Sequence, residues 1–425
     1  MREPITIALI GAGLRGMKYS EYASKRPQEM KIVAVAEPDE FKRNRARDQF
    51  GIAEDKCFKD WDELFAQPKL ADAVFVTTRD RDHYEPAIKA MNAGYHVLLE
   101  KPMSPSWDEC IDLGRVAEEK NLNLTVCHVL RYSPFFQTIK EILDSGKIGR
   151  LMSIQHNENV AYWHQAHSYV RGYFSRAEDS SPMILAKSSH DMDLIRWFAD
   201  SKCISVASYG HLSYFRPENA PAGAPKRCIE GCPVEDTCVY YAPNTYMIEN
   251  GGWKAEAATR DPSYEAKYKA MKEGPFGRCV FHCDNDVVDH QVVAMEFENE
   301  VTAVFTMSAF TEKSNRTLKL MGTLGEIRAS METHEIEIRT FGSGRKETIK
   351  LEDPEGHIGH GGGDKRLVDD FAKTIRNFGE YESSTSARVS VESHLMAFAA
   401  ERSRLEKRMV RLDEFQIGDE TINAD

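Results

Sequence analysis

The sequence predicts two α/β architectures in series: a doubly wound parallel sheet, then a larger α+β domain whose open sheet is mostly antiparallel. Three observations predict this. Short apolar runs alternate with amphipathic stretches over about the first 130 residues, the pattern of a parallel sheet covered on both faces. A glycine-rich turn joins the first apolar run to the first amphipathic stretch. From about residue 291 the rhythm changes to closely spaced β-type runs joined by tight turns. A chain of 425 residues also exceeds one compact core and suggests two domains. The expected boundary lies at 129/130: residues 1–129 bind a dinucleotide, and residues 130–425 bind substrate and support oligomerisation.

The first domain's strands are expected at Ile5–Ile10, Lys31–Ala36, Ala73–Val76, His96–Leu99 and Leu122–Val126, with helices at Met17–Lys25, Phe41–Phe50, Glu85–Ala93 and Ser106–Lys120. In the second domain, Gln291–Phe297, Val301–Met307, Thr317–Met321, Glu326–Ala329 and Glu335–Arg339 read as strands of an antiparallel meander. Residues 367–378 and 388–406 read as helices, the latter with Val391, Leu395, Phe398 and Ala399 on one stripe. Residues 216–285 form a long polar, Cys-rich insertion.

A formal net charge of −12 and a pI near 5.7 disfavour nucleic acid, because an acidic surface repels phosphate backbones. No run approaches the roughly 20 apolar residues of a membrane helix. The first strand begins at Ile5, which leaves no room for a secretory leader, so the protein is expected in the cytoplasm without membrane association.

Gly11-Ala12-Gly13-Leu14-Arg15-Gly16 follows the first strand, and Glu37 closes the second strand 21 residues past Gly16. That context gives an otherwise common glycine pattern a physical meaning, the Rossmann dinucleotide turn. Gly11 permits the turn, Gly13 admits a pyrophosphate close to the backbone, and Gly16 lets helix and strand pack; the helix N-terminus faces the anion. Glu37 is placed to accept from a ribose diol and would repel a 2′-phosphate, which favours NAD. Lys42, Arg43 and Arg45 nearby keep NADP open.

Further residues resemble a known group. Val74-Phe75-Val76-Thr77-Thr78, His83, Ala87–Gly94 and Val97-Leu98-Leu99-Glu100-Lys101-Pro102, with His128, Arg131, Tyr132, Ser133 and Pro134, are similar to the glucose-fructose oxidoreductase / inositol dehydrogenase / MocA family. The resemblance implies that Gly11, Gly13, Leu14, Arg15, Gly16, Glu37, Thr77, Thr78, His83, Glu100, Lys101, Pro102 and Arg131 line the cofactor. It implies a cis bond before Pro102 and a homodimer or homotetramer. Glu-Lys-Pro follows a parallel strand, hence lies at the carboxyl edge where open α/β sheets bind ligands. There Lys101 would relay the proton of a sugar-like hydroxyl as hydride leaves the same carbon. Hydride transfer to or from a sugar, inositol or sugar derivative is the expected activity. Some members instead retain NAD and oxidise a sugar transiently to cleave its glycosidic bond, and a non-catalytic dinucleotide sensor is a third option.

The second domain departs from that family's Asp-x-x-x-His pattern. His190 is present, but the aspartate position is Ala186, with Lys187 beside it. Lys187, His190 and Asp191 would share one face of a helix, and the lysine would favour a neutral, basic histidine. Lys101, His190 and Lys187 are the expected catalytic residues; Asp193, Arg196 and Trp197 are expected to pack and form ion pairs. Tyr162, Trp163, His164, His167 and Arg171 combine aromatic faces with polar tips, which suits a carbohydrate. His360 and Asp364, in a glycine-rich stretch, are expected to reach the same cleft. Finally, four of Cys228, Cys232, Cys238, Cys279 and Cys283 are expected to hold a structural zinc, with His282 as a substitute ligand and an iron–sulfur cluster, free thiols or a disulfide as alternatives.

Overall fold

The computed structural model describes residues 3–249, 251–352 and 361–416. Two sheets organise them. The first holds β1 (Ile5–Ile10), β2 (Met30–Ala36), β3 (Cys57–Phe58), β4 (Ala73–Val76), β5 (His96–Leu99) and β6 (Leu124–Val126) in the order β3-β2-β1-β4-β5-β6. All its pairs are parallel. The buried runs of Ile, Leu, Val and Ala explain why: both faces are covered by the crossover helices α1 (Leu14–Lys25), α2 (Glu40–Phe50), α3 (Tyr84–Asn92) and α4 (Trp107–Glu119). Strand order reverses between β1 and β4, whose ends Ile10 and Val76 lie side by side, with Val76 in turn beside Leu99 of β5. The turns that follow, at Gly11, Thr77 and Glu100, therefore meet at one carboxyl edge, the switch point where such sheets bind ligands.

The second sheet has nine strands: β7 (Leu151–Ala161), β8 (Cys203–His211), β9 (His290–Phe297), β10 (Thr302–Thr311), β11 (Asn315–Gly322), β12 (Gly325–Ser330), β13 (Glu335–Thr340), β14 (Lys346–Lys350) and β15 (Val410–Arg411), in the order β14-β13-β12-β11-β7-β10-β9-β8-β15. The expected meander is thus corrected. The β11–β13 run and the β9–β10 hairpin form as anticipated and β14 extends that run, but β7 inserts between β10 and β11 and runs parallel to β10. Sequence patterning missed β7 because its core-facing positions include His156 and Glu158, which are fully buried yet ionisable.

Three further helices carry functional residues: α5 (Ser189–Ala199), α6 (Gly252–Ala258) and α7 (Gly363–Arg376); α8 (Ala387–Glu406) packs on β8 and α5. After the second sheet the chain returns to the first. Leu367, Val368, Phe371 and Ala372 of α7 share a core with Tyr22 and Phe75, and Ser386 bridges to Thr125 of β6.

Candidate active site

The three glycines divide their work as their chemistry requires. Gly11 adopts φ +87°, a left-handed conformation that favours glycine. A Cβ on Gly16 would lie 2.2 Å from the Gly11 carbonyl oxygen and 2.5 Å from Thr77 Oγ1, so this position packs α1 onto the turn. A Cβ on Gly13 would meet nothing within 4 Å. Gly13 caps α1 without a side-chain hydrogen bond, leaving first-turn N–H groups facing that open space. This is a fit for a pyrophosphate. Leu14 beside it is 79% exposed. Glu37 is buried, its Oε2 accepting from Ala12 N–H at 2.8 Å and its Oε1 from Asp39 N–H at 3.0 Å. Arg43 is spent on the Glu37 and Pro38 carbonyls.

Glu100 is a hub. Its Oε1 accepts from Arg15 Nε and Tyr19 OH, both at 2.8 Å, and its Oε2 from Lys101 N–H at 2.6 Å. Burial works to raise its pKa, but Arg15, Lys101 and these hydrogen bonds win and hold it below the ordinary range. Arg15 also pairs with Asp364 at 2.6 Å. Arg15 and Asp364 therefore tie the glycine turn to the start of α7; His360 lies outside the described residues. Thr77 Oγ1 donates to the Gly11 carbonyl at 2.7 Å, and Thr78 Oγ1 to the Asp82 carbonyl at 2.7 Å. The His83 ring bridges the Pro102 and Thr78 carbonyls at 2.7 and 3.3 Å, which links the two loops. Thr77, Thr78 and His83 thus shape the cofactor edge through its backbone.

The Lys101–Pro102 bond is cis. Lys101 Nζ crosses to the second sheet's side and donates to the Ala186 carbonyl at 2.6 Å. Burial lowers its pKa, opposed by the charges of Glu100 and Asp80 and assisted by Lys187. Asp80 escaped the sequence analysis. It is buried, accepts from Ser181 Oγ at 3.0 Å, and burial raises its pKa against the pull of His83 and Lys101. The signal that could have found it is Asp-x-x-His in the loop after a parallel strand.

Beyond Lys101 lies a buried ionic chain. Lys187 Nζ pairs with Glu158 at 3.1 Å, Glu158 with Arg316 at 2.8 Å, Arg316 with Asp191 at 2.7 Å, and Asp191 with His156 Nε2 at 2.7 Å. Burial works to raise Asp191's pKa, but Arg316 and His156 outweigh it and keep it well below the carboxylate range. Lys187 precedes α5 rather than sharing its face, because the short helix Met183–Ala186 ends before it. Its charge is held by Glu158 instead. His190, in the first turn of α5, is buried with its ring 5.9 Å from that of His128. Burial, Arg131 and Lys101 push His128 well below the usual imidazole range.

The remaining expectations divide. His164 lies within reach of Lys187 and Arg316: burial and then these cations depress its pKa. Trp163 stacks on His164, and Tyr162 sits edge-on to Tyr240. His167 and Arg171 turn away into the insertion. His167 stacks on Phe276 and contacts Tyr246 OH at 3.0 Å, while Arg171 donates to the Arg278 and Tyr240 carbonyls, each at 2.7 Å. Arg131 is buried and bidentate with Asp193, at 2.6 and 2.8 Å, so this guanidinium ties the segment after β6 to α5. Arg196 pairs with Glu392, and Trp197 lies under Arg131.

The zinc expectation is corrected. Cys228, Cys232, Cys238 and Cys279 line one tight cavity, yet among the described residues no three Cys, His, Asp or Glu are arranged to hold a metal ion. All nine cysteines are free thiols. Arg171 places a cation at this cavity and donates to Cys228 Sγ at 3.7 Å. Burial raises the pKa of Cys238 and Cys279 and pushes Cys283 up to about 11. The insertion keeps its shape through aromatic packing around Phe215, Tyr240 and Phe281 and through Arg171. Of the carboxylates that follow Cys283, Asp289 accepts from the Ser213 and Tyr214 N–H groups and Asp284 pairs with Arg278.

Residues 5–128 match the oxidoreductase family's NAD-binding Rossmann fold, and residues 140–412 its C-terminal alpha/beta domain. The chain belongs to the Gfo/Idh/MocA oxidoreductase family. It is 26% identical over 371 residues to the oxidoreductase YteT of Bacillus subtilis, covering 83% of this chain and 84% of that protein. An inositol 2-dehydrogenase/D-chiro-inositol 3-dehydrogenase of Lactiplantibacillus plantarum is 25% identical over 247 residues, 57% of this chain and 61% of that one. Among solved structures, levoglucosan dehydrogenase in complex with NADH and levoglucosan superposes with TM-score 0.71 at 18% identity, covering 96% of this chain and all of that one. An oxidoreductase from Agrobacterium radiobacter with NAD+, L-tartaric acid and magnesium gives TM-score 0.70 at 16% identity, covering 96% and 99%. At those identities the superpositions carry the fold alone. This Gfo/Idh/MocA member is therefore an NAD(P)-binding oxidoreductase. Among its described residues no helix is long and apolar enough to cross a membrane.

Proposed function

We propose that this oxidoreductase transfers a hydride between NAD and a secondary hydroxyl of a sugar, inositol or sugar derivative. One observation carries the proposal: Lys101, at the carboxyl edge of β5, extends across the cleft to Ala186 with its ammonium destabilised by burial. When bound, NAD supplies the hydride acceptor. Gly11, Gly13 and Gly16 with the α1 N-terminus would hold its pyrophosphate, and Glu37 its ribose diol, the arrangement that favours NAD over NADP.

Lys101 Nζ takes the hydroxyl proton of an alcohol seated between it and His190. Its lowered pKa keeps a fraction of neutral amine available, and Asp80 and Glu100 limit that lowering. The ionic chain from Lys187 to His156 holds α5, and with it His190, against β7 and β11. Trp163 and His164 offer ring faces beside that chain for a carbohydrate's C–H groups. The inositol 2-dehydrogenase among the relatives supports a polyol substrate.

A spectrophotometric screen for NAD(P)H over inositols, aldoses, sugar acids and glycosides tests this. Net NADH from at least one polyol is expected. Glycoside cleavage with retained cofactor and no net NADH would replace it with the transient-oxidation mechanism. Lys101→Met should keep NADH affinity and lower turnover by roughly 10²–10⁴-fold; undiminished turnover sinks the proton role. A homodimer or homotetramer is also proposed, supported by the exposed Tyr209, Val292 and Val304 on the second sheet, and a monomeric mass in light scattering would refute it.

A further inference from the structure

The Cys-rich insertion touches both domains. At one end, Trp253 of α6 meets the His167 ring edge-on at 4.8 Å, and Lys254 lies 4.3 Å over Trp163. At the other, Arg260 Nη2 pairs with Asp39 Oδ2 at 2.8 Å, and its guanidinium lies 4.9 Å over the Phe41 ring. Between them runs α6 and two further residues. A helical rise of about 1.5 Å and an extended step of about 3.3 Å per residue give that segment a reach of roughly 15 Å. It passes from the polar aromatic side of the second domain to the adenosine corner of the first.

That corner is wired to the glycine turn. Arg260 donates to the Asp39 carboxylate, Asp39 N–H donates to Glu37 Oε1, and Ala12 N–H donates to Glu37 Oε2. The Asp39 carboxyl is held down at about 2 by Arg260 first and by the Lys42 N–H second, so the pair is ionic across the working range. A guanidinium has five N–H donors, of which Asp39 takes one. The Arg260 side chain is 53% exposed and Phe41 is 61% exposed, which leaves an open planar cation and an aromatic edge next to the expected ribose acceptor. A surface pair of this kind adds little stability to the protein alone. Its placement suits a ligand that is planar, hydroxyl-bearing and anionic nearby.

We infer that the insertion contributes to the dinucleotide site and that Arg260 is its contact with the adenosine half, hydrogen-bonding the ribose and packing with Phe41 beside the adenine. This rests on the dinucleotide lying in the cleft between Gly13 and Lys101. The insertion already rests on the first domain through this contact, and the same short segment carries Trp253 and Lys254 against His167 and Trp163.

Binding of NADH and of ADP-ribose, the adenosine half alone, to the full-length protein tests the inference by calorimetry, with no substrate needed. Arg260→Ala should raise both dissociation constants about tenfold, the scale of one charge-assisted contact. Arg260→Lys, which keeps the charge but not the plane, should recover part of the loss, and the unfolding midpoint of the unliganded protein should stay unchanged. Unaltered binding of both ligands overturns the inference, as does weaker NADH binding with ADP-ribose unaffected. Failure of the wild-type protein to bind either ligand would instead remove the cofactor assignment itself, a result distinct from the first two.

Discussion

Gly13→Ala should separate binding from stability, and Gly16→Ala should do the reverse. An added Cβ at Gly13 meets nothing within 4 Å, and the backbone there, φ −74°, is open to any residue. Alanine loses some N-capping quality but costs the unfolded chain entropy, effects of about 0.5 kcal/mol each and opposite in sign. The unliganded protein should therefore change by no more than about 0.5 kcal/mol in urea unfolding. The methyl group does occupy the space left for a pyrophosphate, and it would displace at least one anion contact worth about 1.5–3 kcal/mol, or roughly ten- to hundredfold in NADH affinity. At Gly16 the same methyl group lies 2.2 Å from a backbone carbonyl and 2.5 Å from Thr77 Oγ1, neither of which can yield cheaply. Overpacking of that kind costs about 1–3 kcal/mol before any ligand is added. Calorimetric titration with NADH and urea unfolding of both variants provide the measurement. Wild-type NADH affinity in Gly13→Ala, or a Gly16→Ala protein as stable as wild type, would refute the division of labour between the glycines.

Other consequences are open to measurement. Removing one partner of the buried Arg131–Asp193 pair by Arg131→Met should cost about 3–5 kcal/mol, because Asp193 is left charged and unpaired; a change below about 1 kcal/mol in urea unfolding argues against the pair as the tie between the segment after β6 and α5. Burial keeps His394 neutral by lowering its pKa to about 3 and, with Lys254 and Arg171, lowers that of His167 to about 4. Both sit below the value near 6.5 of an exposed imidazole. The unfolded chain then binds more protons than the folded one from about pH 6.5 down to about pH 4, so stability should fall as pH falls through that window. Flat urea midpoints between about pH 7 and pH 5 would contradict this. Asp80→Asn removes a negative charge that supports the Lys101 ammonium. The ascending, acid-side limb of the pH–rate profile for alcohol oxidation, where the Lys101 base loses its proton, should move to lower pH, and an unmoved limb would detach Asp80 from the proton path.

The sequence by itself determined the first sheet and the position of its ligand edge. β1, β4 and β5 carry near-continuous apolar runs, interrupted only by Thr6 and His96, since both their faces are covered, and the glycine turn sits directly after β1. Lys101 was legible for the same reason: a strand end fixes where the next residues emerge. Where the pattern failed, buried charge was responsible. His156 and Glu158 on β7 break the expected apolar alternation because their burial is compensated by Lys187, Arg316 and Asp191, partners 29 to 158 positions away in the chain. The strand that splits the meander was hidden by the network that supports His190. Arg131 and Arg171 show the complementary limit. Residue type marks each as a polar binder, but only packing reveals that Asp193 and the insertion's carbonyls already use their donors. Likewise five clustered cysteines predicted a metal, whereas the fold placed Arg171 at the cavity that four of them line, donating to Cys228 Sγ. Local periodicity reports which residues face a core; which polar groups satisfy one another is a property of distant segments meeting, and only the tertiary structure decides it.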